Sequence, residues 1–242
     1  MSERIFYAIG DIHGECERLR ELHRQILYHR RGEGAGRPAT LVHLGDYVDR
    51  GPDSAGVVSY LIEFEREHAR SGDLDVRFLM GNHEQLMLDA LLGEDASAVS
   101  LWLSNGGQKT IDSYAAAAPP GTPLHESVPT AHVDWMENLP TLIEYQNEGL
   151  LFVHAGVRPD KFPDCDDQVL LWTRARAFMD DSHWPANARL DGKVVVHGHT
   201  PTDDDKPYVG RRRINLDTGA VYGGPLTAGV FMVDRPLEFF SA

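Results

Sequence analysis

Ile5-Phe6-Tyr7-Ala8-Ile9-Gly10-Asp11-Ile12-His13-Gly14 decides how this chain is read. Five consecutive apolar residues end at a glycine, and a carboxylate and an imidazole follow, two residues apart. A short run that is apolar at every position suits a strand covered on both faces, as in a sheet with parallel crossovers. The layout recurs four times. Leu41-Val42-His43-Leu44 leads into Gly45-Asp46-Tyr47-Val48-Asp49-Arg50-Gly51, and Val76-Arg77-Phe78-Leu79-Met80 into Gly81-Asn82-His83-Glu84. Leu150-Leu151-Phe152-Val153 leads into His154-Ala155-Gly156, and Val194-Val195-Val196 into His197-Gly198-His199-Thr200. Polar motifs at the carboxyl ends of several strands face one crevice in open α/β sheets.

Between the first three motifs the pattern switches to helix. Leu19, Leu22, Ile26 and Leu27 form one stripe of an amphipathic helix over 15–30, with His23 and His29 outside the stripe and therefore solvated. Arg30–Pro38 reads as a loop. Pro52 and Asp53 open a second helix through about Ala69, and a third runs from about His83 to Leu92. This β-α-β-α-β order implies parallel pairing with right-handed crossovers. Positions 93–140 read as mostly helical pieces around Leu101, Trp102 and Trp135, with Ala115–Pro123 as a connector. The segment is taken as an insertion or cap beside the site. Strand signals at 142–146, 150–154, 194–197, 213–217 and 226–234 imply a second sheet packed on the first. The expected class is α/β, organised as one domain over 1–242.

Composition narrows the function. No apolar run approaches the ~18 residues of a membrane span. Met1-Ser2-Glu3-Arg4 enters a strand at once and leaves no room for a signal peptide, so a cytoplasmic location is expected. Cys16 and Cys165 read as two reduced thiols and not as a disulfide framework. A net charge of −14 argues against nucleic-acid and acidic-membrane partners. It leaves a phosphate substrate open, because bound divalent metals would be the largest local charges in the site.

Asp11 and His13 together suit a divalent first-row metal; the plainer reading is a turn aspartate that caps a helix. Asp46 is placed to bridge two metals, and Asn82, His154 and His199 would complete the second set. His197, two before His199, is the alternative ligand and is given a supporting place. His43, His68, His125, His132 and His183 read as ordinary core or surface histidines. Two metals without thiolates suit hydrolysis, in which a shared water loses a proton and attacks phosphorus in line. His83, beside Asn82, is placed as general acid with Asp49 to orient it. Arg50 could fork onto phosphate oxygens, although a local salt bridge with Asp49 is the plainer reading. Arg174 is the second phosphate clamp, with Arg176 as the fallback, and Arg211-Arg212-Arg213 reads as a solvated turn or strand edge and not as a binding patch.

The five motifs resemble those of the calcineurin-like metallophosphoesterases, and within them the serine/threonine phosphatases of the phosphoprotein phosphatase family. Compact bacterial and bacteriophage lambda-type members are nearest in length. The likeness runs from Gly10 to about Thr227. It implies a four-layer α-β-β-α sandwich, with Asp11, His13 and Asp46 on one metal and Asp46, Asn82, His154 and His199 on the other. It also implies His83 with Asp49 as the acid pair, Arg50 and Arg174 as clamps, and two divalent ions, manganese in vitro with iron or zinc as cellular alternatives. The expected substrate is a phosphorylated protein or a small phosphate ester. The chain is similar as well to the symmetrical diadenosine tetraphosphate hydrolases, which share a motif like Leu216-Asp217-Thr218-Gly219-Ala220-Val221-Tyr222-Gly223-Gly224. That family tends to lack the aspartate present here as Asp49 and often has Gln in place of His13, so these two residues tilt the reading toward phosphoserine and phosphothreonine. A non-catalytic binding module is a remote third reading, because no ligand or acid of the pattern is missing.

Overall fold

The computed structural model describes residues 4–93, 95–232 and 235–242. The strands are β1 (Ile5–Ile9), β2 (Ala39–His43), β3 (Asp75–Phe78), β4 (Leu142–Tyr145), β5 (Leu150–Val153), β6 (Val194–His197), β7 (Tyr208–Val209), β8 (Arg213–Asn215), β9 (Thr227–Phe231) and β10 (Glu238–Ser241). The helices are α1 (Cys16–Arg31), α2 (Ser54–Ser71), α3 (Asn82–Leu92), α4 (Ala96–Ser104), α5 (Gly107–Ala117), α6 (Leu124–Ser127), α7 (Thr130–Glu137), α8 (Asp167–Trp172) and α9 (Arg176–Met179).

Among the described residues two five-stranded sheets are built, in the orders β10-β9-β1-β2-β3 and β4-β5-β6-β8-β7. In the first, β1 pairs in parallel with β2 and β2 with β3, while β9 runs antiparallel to β1. In the second, β5, β6 and β8 are parallel, with β4 and β7 antiparallel at the edges. Strand alternation explains why the motif-leading runs are apolar throughout. Ile5, Tyr7 and Ile9 of β1 face the helices α1 and α2, and Phe6 and Ala8 face the second sheet, against Leu150 and Phe152 of β5. Leu151 and Val153 of β5 face away, onto Leu170 of α8 and Phe178 of α9. The layers are therefore α-β-β-α. Among the described residues, no helix is long and apolar enough to cross a membrane.

The helices start and stop where their sequences direct. Asp53 caps α2 by accepting from the Gly56 N–H at 2.9 Å, and Gly72 ends it in the left-handed region at φ 65°. Glu17 in the first turn of α1 and Arg30 and Arg31 in its last suit the helix dipole.

Several expectations need correction. His23 and His29 are not solvated. α1 packs on α2 and on the edge strand β10 as well as on β1 and β2, so its buried arc is wider than the leucine stripe. His23 lies against Phe64, and His29 against Tyr7 and Phe240. The last strands do not all build the second sheet, because β9 and β10 return to the first. Positions 233 and 234, at the end of the expected 226–234 strand, lie outside the described residues, as do positions 1–3. α5 takes up part of the expected Ala115–Pro123 connector. The described residues of segment 93–140 are mostly helical, as expected, and Trp102, Tyr114, Val128 and Met136 share the apolar cluster of β1, β2 and α1–α3.

Candidate metal centre

The motif residues emerge at the ends of β1, β2, β3, β5 and β6 and converge. The Asp46 carboxylate lies at the centre. Its Oδ2 is 3.4 Å from His13 Nε2 and 4.0 Å from His83 Nε2, and its Oδ1 is 3.3 Å from His154 Nε2. One oxygen thus faces each of two clusters, His13–Asp46–His83 and Asp46–His154–His199, whose donor atoms lie within 4.8 Å of one another. Asn82 Oδ1 joins the second cluster, 2.9 Å from His154 Nε2 and 2.8 Å from His199 Nδ1.

Hydrogen bonding fixes which ring nitrogens are available. His13 Nδ1–H donates to the Val48 carbonyl at 2.8 Å, and His154 Nδ1–H to the Leu44 carbonyl at 2.8 Å. Each ring therefore turns its Nε2 lone pair inward. Around His154 Nε2 stand Asn82 Oδ1, Asp46 Oδ1 and, at 3.2 Å, His199 Nδ1. Acceptors outnumber protons there, a conflict that a divalent cation removes. The donor set holds oxygen and imidazole nitrogen but no thiolate, which suits manganese, iron or zinc. Among the described residues, Cys16 and Cys165 lie elsewhere.

Electrostatics point the same way. Burial pushes Asp11 well above the usual carboxylate range, and Asp217 and Asp46 push it further. Burial also raises Asp217 to about 6. For Asp46 burial is the largest influence and acts upward, but His154, by charge and hydrogen bond, with His83 and His13 holds the carboxyl well below the usual range. Burial lowers His13 to about 3, and burial followed by His154 lowers His199 to about 2. His13 and His199, both neutral, and the crowded Asp11 and Asp217 carboxyls make a site that gains from positive charge.

Asp11 stands slightly apart. Both its oxygens accept the His199 backbone N–H at 3.1 Å, and its carboxyl also meets Asp217. His83 Nδ1 is 2.7 Å from Asp49 Oδ2, while its buried Nε2 has no hydrogen-bond partner among the described residues. Arg50 donates to His13 Nε2 at 2.7 Å, and Arg174 donates to the His199 carbonyl at 3.2 Å. Arg176 lines a separate cleft of about 780 Å³ with Val157, Phe178 and His183, so the fallback clamp lies away from the cluster. His197 turns away too. Its Nε2 accepts from Arg213 at 3.0 Å, and its ring meets Phe178.

The backbone is strained where these groups sit. His13, Asp46, Asp49, Arg50 and His199 all have φ between 44° and 71°, a region that costs a non-glycine residue of order 1 kcal/mol or more. Glu84, quoted in the sequence but given no role there, holds the central turn. Its Oε2 accepts from Asp46 N and Gly81 N at 2.9 and 3.0 Å, and its Oε1 from Tyr47 N and Val48 N at 2.7 and 3.2 Å. The signal was present, since a Glu two residues after the first residue of a helix is a capping-box residue. Gly81 is required beside it, because a Cβ there would overlap the Asp46 backbone N and carboxylate.

Residues 5–225 match the calcineurin-like phosphoesterase profile. The chain belongs to that family. Calcineurin-like phosphoesterases are hydrolases of phosphoric esters, and their fold implies divalent metal ions. Two curated relatives have different names. An asymmetrical bis(5'-nucleosyl)-tetraphosphatase PrpE of a Geobacillus species is 28% identical over 237 residues, covering 91% of this chain and 87% of the relative. Serine/threonine-protein phosphatase 1 of Salmonella typhimurium is 29% identical over 238 residues, covering 93% and 90%. The crystal structure of a candidate diadenosine tetraphosphatase superposes with a TM-score of 0.65 at 23% identity, over 98% of this chain and 93% of the other.

Proposed function

We propose that the chain works as one domain, a phosphatase using two divalent ions, manganese or its iron and zinc alternatives, on phosphomonoesters of alcohols, foremost phosphoserine and phosphothreonine in proteins. The observation that carries this reading is the buried His83–Asp49 pair, whose free Nε2 faces the Asp46 cluster. An alkoxide is a poor leaving group and needs a proton as the P–O bond breaks, whereas a nucleotide leaving group needs far less help.

His13 and Asp46, with Asp11 behind them, would hold one ion, and Asp46, Asn82, His154 and His199 the other. Bound there, the ions supply Lewis acidity toward phosphate oxygens and a nucleophilic water at neutral pH. Asp49 keeps the His83 ring in one tautomer, with Nδ1–H donated, so that a proton on Nε2 is aimed at the leaving oxygen. Arg50 and Arg174 flank the cluster from opposite clusters of ligands and would take the remaining phosphate oxygens.

The likeness to PrpE favours a second reading, hydrolysis of dinucleoside polyphosphates. A side-by-side product assay of the manganese-loaded protein on a phosphothreonine peptide and on diadenosine tetraphosphate separates the two. Faster phosphate release from the peptide is expected. Faster cleavage of the tetraphosphate would replace this reading. Two adenosine diphosphates would mean symmetrical cleavage, and adenosine mono- and triphosphate the asymmetrical kind named for the relatives.

A further inference from the structure

Asp49 is gripped from a segment that carries no ligand of the metal cluster. Trp102, in α4, places its indole N–H between the two carboxylate oxygens, 2.9 Å from Oδ1 and 3.0 Å from Oδ2. Thr110, in α5, donates its hydroxyl to Oδ1 at 2.6 Å, and its oxygen accepts the Asp49 backbone N–H at 2.8 Å. Ser54 Oγ lies 3.1 Å from the same N–H and 2.9 Å from Thr110 Oγ1. These bonds fix the carboxylate plane and turn Oδ2, which Trp102 also touches, toward His83 at 2.7 Å.

The turn joining α4 to α5 serves the neighbouring residue. The Gly106 carbonyl accepts the Arg50 backbone N–H at 3.2 Å. A Cβ on Gly106 would press on Arg50 Cγ at 2.8 Å, and one on Gly107 would meet the Trp102 ring at 2.7 Å. Trp102-Leu103-Ser104-Asn105-Gly106-Gly107-Gln108-Lys109-Thr110 is therefore one device, two short helices hinged at two glycines, closed over Asp49 and Arg50.

We infer that Trp102 and Thr110 are positioning residues for proton donation by His83, acting through Asp49. The inference rests on the acid role proposed above for His83. Both side chains are buried, Trp102 at 1% and Thr110 at 0% exposure, and neither touches the metal cluster through any polar contact among the described residues. Their effect must then pass through the carboxylate they hold.

The test is a double-mutant cycle in the manganese-loaded protein, read with phenyl phosphate and p-nitrophenyl phosphate. Trp102→Phe keeps the ring and removes the N–H. Removing a hydrogen bond to a charged group predicts a loss of about 10-fold in kcat on phenyl phosphate, with KM little changed. On p-nitrophenyl phosphate, whose leaving group needs little protonation, the expected loss is below about twofold. In a His83→Asn background the Trp102→Phe effect should vanish, because there is no acid left to position. Thr110→Val should repeat the pattern and Thr110→Ser should rescue it, so the outcome does not depend on the tryptophan variant folding well. In the metal-free protein, the His83 Nδ1–H proton resonance, identified by its loss in His83→Asn, should move in Trp102→Phe. Equal losses on both esters, or an undiminished Trp102→Phe effect without His83, would overturn the inference and leave only a structural role. If His83→Asn alone shows no leaving-group bias, the acid assignment falls first and this inference with it.

Discussion

Glu84 shows how much one side chain can organise. Each of its oxygens accepts two backbone N–H groups, which only the carboxylate form can do with both oxygens. Burial, followed by the nearby Asp46 charge, raises Glu84 to about 8, while the Tyr47 and Val48 N–H groups act the other way. Glu84→Gln keeps the shape but sets an NH2 against two N–H groups. Leaving two buried donors unpaired should cost about 2–5 kcal/mol of stability, measured by urea denaturation. A loss below about 1 kcal/mol would show that the turn carrying Asp46 holds itself. The ligand-type residues themselves were legible, since Asp, Asn and His at strand ends announce themselves by type and place. The strain at His13, Asp46, Asp49, Arg50 and His199 was not, because even Asp and His, which favour a positive φ more than most residues, adopt it only in a small minority of places.

Elements pack through contacts that periodicity alone does not reveal, and the histidines between α1, α2 and β2 are the clearest case. Tyr60 O–H donates to His23 Nδ1 at 3.0 Å, His23 Nε2–H to His43 Nε2 at 2.9 Å, and His43 Nδ1–H to the Arg77 carbonyl at 3.2 Å. Each ring is neutral, and a proton added to either breaks a link. Burial lowers His43 to about 3 and His23 well below its ordinary value. Once pH drops below about 6.5 the unfolded chain binds protons that the folded one refuses, so stability falls with pH, at about 1.4 kcal/mol per pH unit for His43. Between pH 6.5 and 5 that amounts to about 2 kcal/mol. His43→Gln should flatten the pH dependence of unfolding by about this much; an unchanged dependence would contradict the buried neutral chain. The helix period identified α1 but misread His23 and His29, because a stripe found by one period assumes one neighbour, and α1 has three. Trp102 and Thr110 went unread for a related reason. They lie on helices, away from any strand end, and only tertiary contact brings them to Asp49.

At the scale of the molecule, both sheets contribute to one cluster, with Asp11, His13, Asp46, Asn82 and His83 following strands of the first and His154 and His199 following strands of the second. A cation held between them would tie the sheets together and bind only the folded state. At a free concentration of 100 times Kd, manganese should add about 2.7 kcal/mol. For a chain of this size that corresponds to roughly 5–10 °C in Tm, so the chelated protein should melt lower by that amount in calorimetry. Identical melting with and without metal would mean that the cluster does not bind it. The sheet layers followed from the apolar runs, but the return of β9 to pair with β1 did not, since long-range pairing leaves no local pattern. That pairing has a consequence for how the protein is made. β1 needs β9 as its neighbour, and Asp11 needs the His199 N–H, 188 residues later. On a ribosome adding about 5–20 residues per second, β1 waits roughly 10–40 s for its second partner. Throughout that interval the nascent chain exposes an unpaired strand edge that invites chaperone binding, and with His199 as a proposed ligand, translation products cut short before it should be inert toward phosphoesters.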